Sequence, residues 1–178
     1  MECVPKKLII LTDCGDTIID EGSEYREPGS EVVLRADCIP GAKETLTELY
    51  RRGHTIALVA DGLIESFRNI LGQNKLLPVF SAEVISETYG VNKPHPIMFQ
   101  EAFRKLGLTD TDKHRVIMVG NNIGRDIVGA NRLGIISVLL TWSPRYNMVP
   151  ENEEETPDYR ISAPEELLAL VEKLESAL

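Results

Sequence analysis

Apolar residues fall into short unbroken runs that alternate with stripes at helical spacing. The run LIIL within residues 7–12 suits a strand covered on both faces. TIALVA at Thr55–Ala60, VIMV at 116–119 and IISVLL at 135–140 read the same way. Between them, Leu46, Leu49 and Tyr50 share one face of a helix opened by Pro40–Gly41 and closed by Gly53. Leu63, Phe67, Ile70 and Leu71 predict a helix over 63–71. Phe99, Ala102, Phe103 and Leu106 predict another, from Pro96 to a stop at Gly107. A helix over 126–133 stops at Gly134. The pairs Val79–Phe80 and Val84–Ile85 mark one short strand or two, and Tyr159–Ile161 a last short one. Ser162 with Glu165 reads as a capping box, with Pro164 in the first turn. Leu167, Leu170, Val171 and Leu174 supply the stripe of the helix that follows. Strands separated by helices of about ten residues imply crossover units, hence an α/β fold with a parallel sheet.

The polar stretch 20–37 lacks a period; Gly22, Pro28 and Gly29 break it. With 178 residues, 43% of them hydrophobic, the chain suits one domain spanning 1–178, with 20–37 as a small flap or loop insertion. The net charge of −9 gives no reason to seek nucleic acid or an anionic membrane face. The acidic run at 151–155 reads as a solvated loop. No apolar stretch reaches the roughly 20 residues of a membrane span. LIIL is too short for a signal peptide's apolar region, so the expected location is cytoplasmic. Cys3, Cys14 and Cys38 form no C-x-x-C, as in a reduced compartment, and Cys14 reads as a small strand-end residue rather than a nucleophile. His54, His95 and His114 show no ligand spacing; a turn role is expected for His95.

In open parallel sheets, ligands bind beyond the carboxyl ends of the strands. LIIL is followed by TDCGDT, with Asp13 first among its acids; TIALV is followed by Ala60, Asp61 and Gly62. VIMV is followed by Gly120, Asn121, Asn122 and then Asp126, and Lys93 precedes the Pro96 helix within VNKPHP. Such a sheet gathers Asp13, Lys93, Asn121 and Asp126 at one rim. Two carboxylates, an amide and a lysine suit a phosphate with a divalent cation. An aspartate can also act as a covalent nucleophile. Taken singly, an acid after a strand is more often a helix cap, and Asp61 reads as the cap of the helix near Leu63.

The segments LTDCGDTIID, IPGAKETLTELYRRGHTIALVADG, VNKPHPIMFQEAFRKLG and VIMVGNNIGRDIVGANRLGIISV carry a family likeness. In their order and spacing the chain resembles the haloacid dehalogenase-like (HAD) hydrolases, most of them magnesium-dependent phosphatases. The resemblance implies a three-layer α/β/α, Rossmann-like sheet of mostly parallel strands. It implies Asp13 as nucleophile and Lys93 as the neutralising lysine, and it puts Thr17, the first motif's threonine, and position 60 among the residues that meet substrate. The first motif's second aspartate, the family's acid/base, is replaced by Gly15; Asp16 beside it reads as a turn residue. The second motif's hydroxyl donor is replaced by Ala60, leaving backbone N–H groups around Asp61 and Gly62, with Asn122, to meet substrate. The implied Mg²⁺ set is Asp13, the Gly15 carbonyl and Asn121, the last standing where the family has an acid, with Asp126 in support. Neither interval that holds a cap domain in the family has room for one.

The leading expectation is a capless, Mg²⁺-dependent phosphatase acting on a phosphate monoester through an aspartyl-phosphate at Asp13. Its substrate is a phosphorylated small molecule or a phosphorylated macromolecule, with a neighbouring subunit as one way of closing an open site. Losing the acid/base alone predicts a rate penalty of roughly 10²–10⁴-fold. A catalytically impaired phosphate-binding or regulatory protein is the alternative. Carbon–halogen hydrolysis is a third reading, disfavoured because the halide-gripping arginine belongs to a cap.

Overall fold

The computed structural model describes residues 7–178; Cys3 lies outside the described residues. Six strands form one sheet in the order β3-β2-β1-β4-β5-β6. They are β1 (Ile9–Thr12), β2 (Thr55–Ala60), β3 (Ala82–Ile85), β4 (Val116–Gly120), β5 (Ile136–Leu140) and β6 (Tyr159–Ile161). The sequence predicts mostly parallel pairing, and all five ladders are parallel. The helices are α1 (Ala42–Arg51), α2 (Ile64–Gln73), the one-turn α3 (Ser86–Tyr89), α4 (Pro96–Leu106), α5 (Val128–Leu133) and α6 (Glu166–Glu175).

The unbroken apolar runs have a direct cause. Ile10, Ile56, Leu58, Ile117, Val119 and Val138 pack with residues of α1, α2 and α6. Ile9, Leu11, Ala57, Val59, Val116 and Met118 turn the other way, against Met98, Phe99, Ala102 and Phe103 of α4 and Ala130 of α5. Alternate side chains of one strand thus enter two different cores, so neither set can be polar.

Several local expectations are corrected. Tyr50 is exposed while Leu46 and Leu49 are buried. The Val79–Phe80 region is a 3₁₀ turn, leaving one strand at β3. The predicted helix over 126–133 opens as a π turn at Ile123–Ile127, before α5 proper. The Ser162–Glu165 capping box does not form; the Ser162 N–H and hydroxyl both bond to Glu166, one residue on. Nor does Asp61 cap α2, whose Ile64 N–H donates to Glu87 of α3 at 2.7 Å.

Between β1 and β2 lie a loop with one 3₁₀ turn (Glu21–Ser23) and α1, and between β2 and Lys93 lie α2, the 3₁₀ turn at Leu77–Val79, β3 and α3. The loop over 20–37 is stapled to α2. Ser66 Oγ accepts from Val33 N–H at 2.9 Å, and the Asn69 amide donates to Val33 carbonyl at 3.0 Å. Gln73 accepts from Ala36 N–H, and the Asn74 amide donates to Ala36 carbonyl. Val33 and Ala36 are buried beneath these bonds. The loop is therefore a fixed wall beside the carboxyl end of the sheet. Among the described residues, no helix is long and apolar enough to cross a membrane.

Candidate active site

Strand order places the site. From β1 the chain moves outward through β2 and β3, then returns to β4 on β1's other side. Ligands of open α/β sheets bind at such a reversal, outside the carboxyl ends. Register sets Thr12 level with Leu58 and Val119. Asp13, Val59 and Gly120 therefore reach the rim together, and Asp13 N–H donates to Val119 carbonyl at 2.9 Å.

Lys93 crosses this rim from below. Its Nζ donates to Asp13 Oδ1, Asp126 Oδ1 and the Val59 carbonyl, each at 2.7 Å. Three donors thus meet three acceptors, and the ammonium is buried. Burial alone would lower its pKa; Asp126 and Asp13 outweigh that and hold it above the ordinary lysine range. Burial pushes the Asp126 carboxyl upward and Lys93 draws it down. With Nζ at 2.7 Å the pair is read as ionised. The second Asp126 oxygen accepts from Asn122 N–H at 3.0 Å.

Gly120 exists to admit this carboxylate. A Cβ there would stand 2.1 Å from Asp126 Oδ2 and 2.2 Å from its Cγ. Gly120→Ala is expected to displace Asp126 and, through it, Lys93. The overpacking should cost about 1–3 kcal/mol, read as a lower urea midpoint with unchanged slope.

Asp61 is re-assigned by the structure. Its Oδ1 accepts from Lys93 N–H at 3.0 Å, fixing the backbone that carries the lysine. Oδ2 is buried without a hydrogen-bond partner; the Arg125 guanidinium stands 3.7 Å away. Burial raises the Asp61 carboxyl, and Lys93 draws it back. The Gly62 N–H, expected for substrate, is taken by Ser86 Oγ at 2.9 Å.

A cavity of about 200 Å³ opens above Asp13, with Gly15, Glu21, Lys93, Asn121 and Arg125 in its polar lining. Val33 of the fixed loop and Leu63, Phe67 and Ile70 of the α2 region form its apolar side. Asp61, Gly62 and Asn122 also line it. Thr17 and Ala60, expected to meet substrate, do not; both are buried away from it, and Thr17 Oγ1 has no hydrogen-bond partner among the described residues. Cys14 is buried, and burial, then Asp13, pushes its thiol well up, so it is no nucleophile. His95 is a turn residue as expected, accepting from Ile97 N–H at the start of α4.

Among the described residues no three His, Cys, Asp or Glu side chains gather as a metal cage. A hard cation that keeps several waters needs fewer protein ligands. The Asp13 carboxylate, the Gly15 carbonyl and the Asn121 amide are the donors at hand. Asn121 is buried against the cavity with its amide nitrogen unpartnered, and the same amide turned over offers oxygen. That unspent polar group fits a ligand. Asp126, expected in support of the metal set, has both oxygens engaged, one by Lys93 Nζ and the other by Asn122 N–H.

Four residues escape the sequence reading, among them Arg125 at the cavity wall. Glu21 lies in the aperiodic loop. Arg145 and Tyr146 lie five and six residues beyond the end of β5, past the positions that inspection of the strand end covers. Arg145 Nε bonds to Asp16 and stands 3.2 Å from Glu21. Asp16 is a turn residue, with φ 47°, yet it is wholly buried and ion-paired rather than solvated.

A family model described as haloacid dehalogenase-like hydrolase matches residues 16–140. The chain belongs to the haloacid dehalogenase-like hydrolases. It is 35% identical over 135 residues to a glyceraldehyde 3-phosphate phosphatase of Methanopyrus kandleri, covering 76% of this chain and 57% of that protein. It is 34% identical over 122 residues to a phosphoserine phosphatase of Thermus thermophilus, covering 68% and 46% respectively. The chain thus spans about half the length of the curated relatives it matches. Among solved structures it resembles the HAD hydrolase YfnB of Bacillus subtilis, bound to magnesium, with TM-score 0.67 and 23% identity over 76% of this chain and 56% of that one. This HAD hydrolase has Asp13 and Lys93 in contact at the sheet's carboxyl rim, with glycine at position 15 and alanine at position 60.

Proposed function

We propose that this HAD hydrolase cleaves phosphate monoesters, with Asp13 as the nucleophile that carries the phosphoryl group. The observation that carries the reading is the Lys93 ammonium held between Asp13 and the buried Asp126. Lys93 orients one Asp13 oxygen and leaves the other toward the cavity. It also offsets charge as Asp13 attacks phosphorus and the ester oxygen departs. Arg125, at the cavity wall, supplies a further donor to an anionic substrate. The phosphatase names of the relatives and the magnesium of YfnB agree with this chemistry.

Mg²⁺ would be held by Asp13, the Gly15 carbonyl and Asn121, where it would neutralise charge on phosphoryl oxygens. The substrate class is a small phosphorylated molecule, because the fixed loop closes the cavity beside α2. The chain acts as one domain, with 20–37 as its loop insertion. Its two described cysteines are free thiols, which suits the cytoplasm.

The test is turnover of an aryl phosphate with Mg²⁺, by wild type and Asp13→Asn. Wild-type turnover should fall on adding EDTA and return with excess Mg²⁺; equal rates in wild type and variant would remove Asp13 as nucleophile. One observation favours a second reading, a phosphate-binding protein without turnover. Ala60 offers no hydroxyl, and the Gly62 N–H is already bonded, so two expected donors to the phosphoryl group are missing. Phosphate binding with no turnover of any ester would favour it.

A further inference from the structure

The missing carboxylate at Gly15 has a physical substitute in the same place. A Cβ built on Gly15 would lie 2.0 Å from Glu21 Oε1, 2.9 Å from its Cδ and 3.1 Å from its Cγ. The Glu21 side chain fills the volume that a side chain at position 15 would take. It lines the cavity that Asp13, Lys93 and Asn121 line, and its side chain is 30% exposed.

Its placement is fixed from the opposite side. Asp16 Oδ1 accepts the Glu21 N–H at 2.9 Å, and Asp16 Oδ2 accepts from Arg145 Nε. The same Nε stands 3.2 Å from Glu21 Oε2. Asp16, wholly buried, thus holds both the backbone and the cation that orient Glu21. Oε1 accepts no hydrogen bond among the described residues, while Oε2 is anchored. Of the neighbouring groups that could move a proton, Lys93 donates to three acceptors and both Asp126 oxygens are bonded, while Asp61 holds the Lys93 backbone through Oδ1 and keeps Oδ2 buried, 3.7 Å from the Arg125 guanidinium.

We propose that Glu21 is the general acid and base of this site, taking over from the loop the task that position 15 cannot perform. This rests on the phosphoryl-transfer reading above. As an Asp13 oxygen bonds to phosphorus, the ester P–O bond breaks and its electron pair goes to the departing oxygen. That oxygen takes the carboxyl proton of Glu21 and leaves as an alcohol. Water then attacks the phosphorus of the aspartyl-phosphate and gives a proton to the Glu21 carboxylate. The P–O bond to Asp13 breaks, its electrons restoring the carboxylate, and inorganic phosphate departs.

Glu21→Gln tests this with two substrates. A poor leaving group needs the proton and a good one does not. Turnover of an alkyl phosphate such as glycerol phosphate should fall by about 10²–10⁴-fold, while release of nitrophenolate from p-nitrophenyl phosphate in the first turnover should stay near wild type. The second step should slow, so nitrophenolate appears as a burst equal to the enzyme concentration. A residue that merely shapes the loop would lower both substrates alike, without a burst. Gly15→Asp/Glu21→Ala moves the carboxylate onto the freed position and should recover alkyl phosphate turnover, which also decides the matter if Glu21→Gln fails to fold. Alkyl phosphate turnover by Glu21→Gln at the wild-type rate, or a double variant as inactive as Glu21→Ala, overturns the proposal. Asp13→Asn separates the failures. If it is inactive while Glu21→Gln is unimpaired, phosphoryl transfer through Asp13 stands and only the role of Glu21 falls. If it matches wild type, both fall.

Discussion

Lys93→Met is expected to lower unfolding stability by about 3–5 kcal/mol, because it strips the counterion from a fully buried carboxylate. Asp126 has no exposed side-chain surface, and Lys93 only 1%. Methionine matches the aliphatic stem and fills its volume, so little of the loss comes from a cavity. What remains is Asp126 facing Asp13 with no cation between them, and a Val59 carbonyl without its donor. The partner substitution tests the cause. Asp126→Asn removes the stranded charge yet keeps an oxygen for the Asn122 N–H. Lys93→Met/Asp126→Asn should therefore be more stable than Lys93→Met alone, a reversal that additive losses cannot produce. Urea unfolding of the four proteins reads the whole cycle. A Lys93→Met protein with the wild-type midpoint would show that the cluster is solvated in solution.

The same cluster shows how far the sequence could be read. Strand ends named Asp13, Lys93, Asn121 and Asp126 as neighbours because buried apolar runs announce a parallel sheet, and a parallel sheet puts successive strand ends on one rim. Lys93, Asp13 and Asp126 do share hydrogen bonds there, and Asn121 lines the cavity above them. The chemistry of each group was less legible. Whether Asp126 ligates a metal or holds a lysine depends on where its second oxygen points, and that is set by the π turn at Ile123–Ile127, which leaves no mark in the apolar period. Asp61 reads as a helix cap by its position before α2, but Glu87 of the neighbouring one-turn helix reaches that N-terminus instead.

Glu21 lay beyond reach for a related reason. Residues 20–37 carry no period because their structure comes from elsewhere, from the side chains of Ser66, Asn69, Gln73 and Asn74 and from Arg145 after β5. A long-range staple cannot be inferred from local pattern. The absence of an acid at Gly15 reads from sequence as a loss. In the structure a side chain there would meet the Glu21 carboxylate already in its place. Gly15→Asp alone should not improve the protein.

Asp13→Asn should reduce turnover of any phosphate ester by at least about 10⁴-fold, on the scale seen when a nucleophile is removed. The change is nearly isosteric. An asparagine oxygen can still accept from Lys93 at the position of Asp13 Oδ1, now 2.7 Å from Nζ. The side chain of Asp13 is partly exposed and Asp126 remains beside Lys93, so the ammonium keeps a charged partner. Stability should change far less than in Lys93→Met, and a lost rate can then be assigned to chemistry. A neutral amide cannot form the acyl-phosphate bond, so the variant should also incorporate no phosphoryl group, where wild type quenched during turnover carries one on Asp13. Removing one negative charge from the cavity should at the same time leave inorganic phosphate bound at least as tightly as in wild type. Binding retained, label absent and turnover lost together mark a nucleophile; turnover retained with binding unchanged would assign Asp13 to holding Lys93 alone.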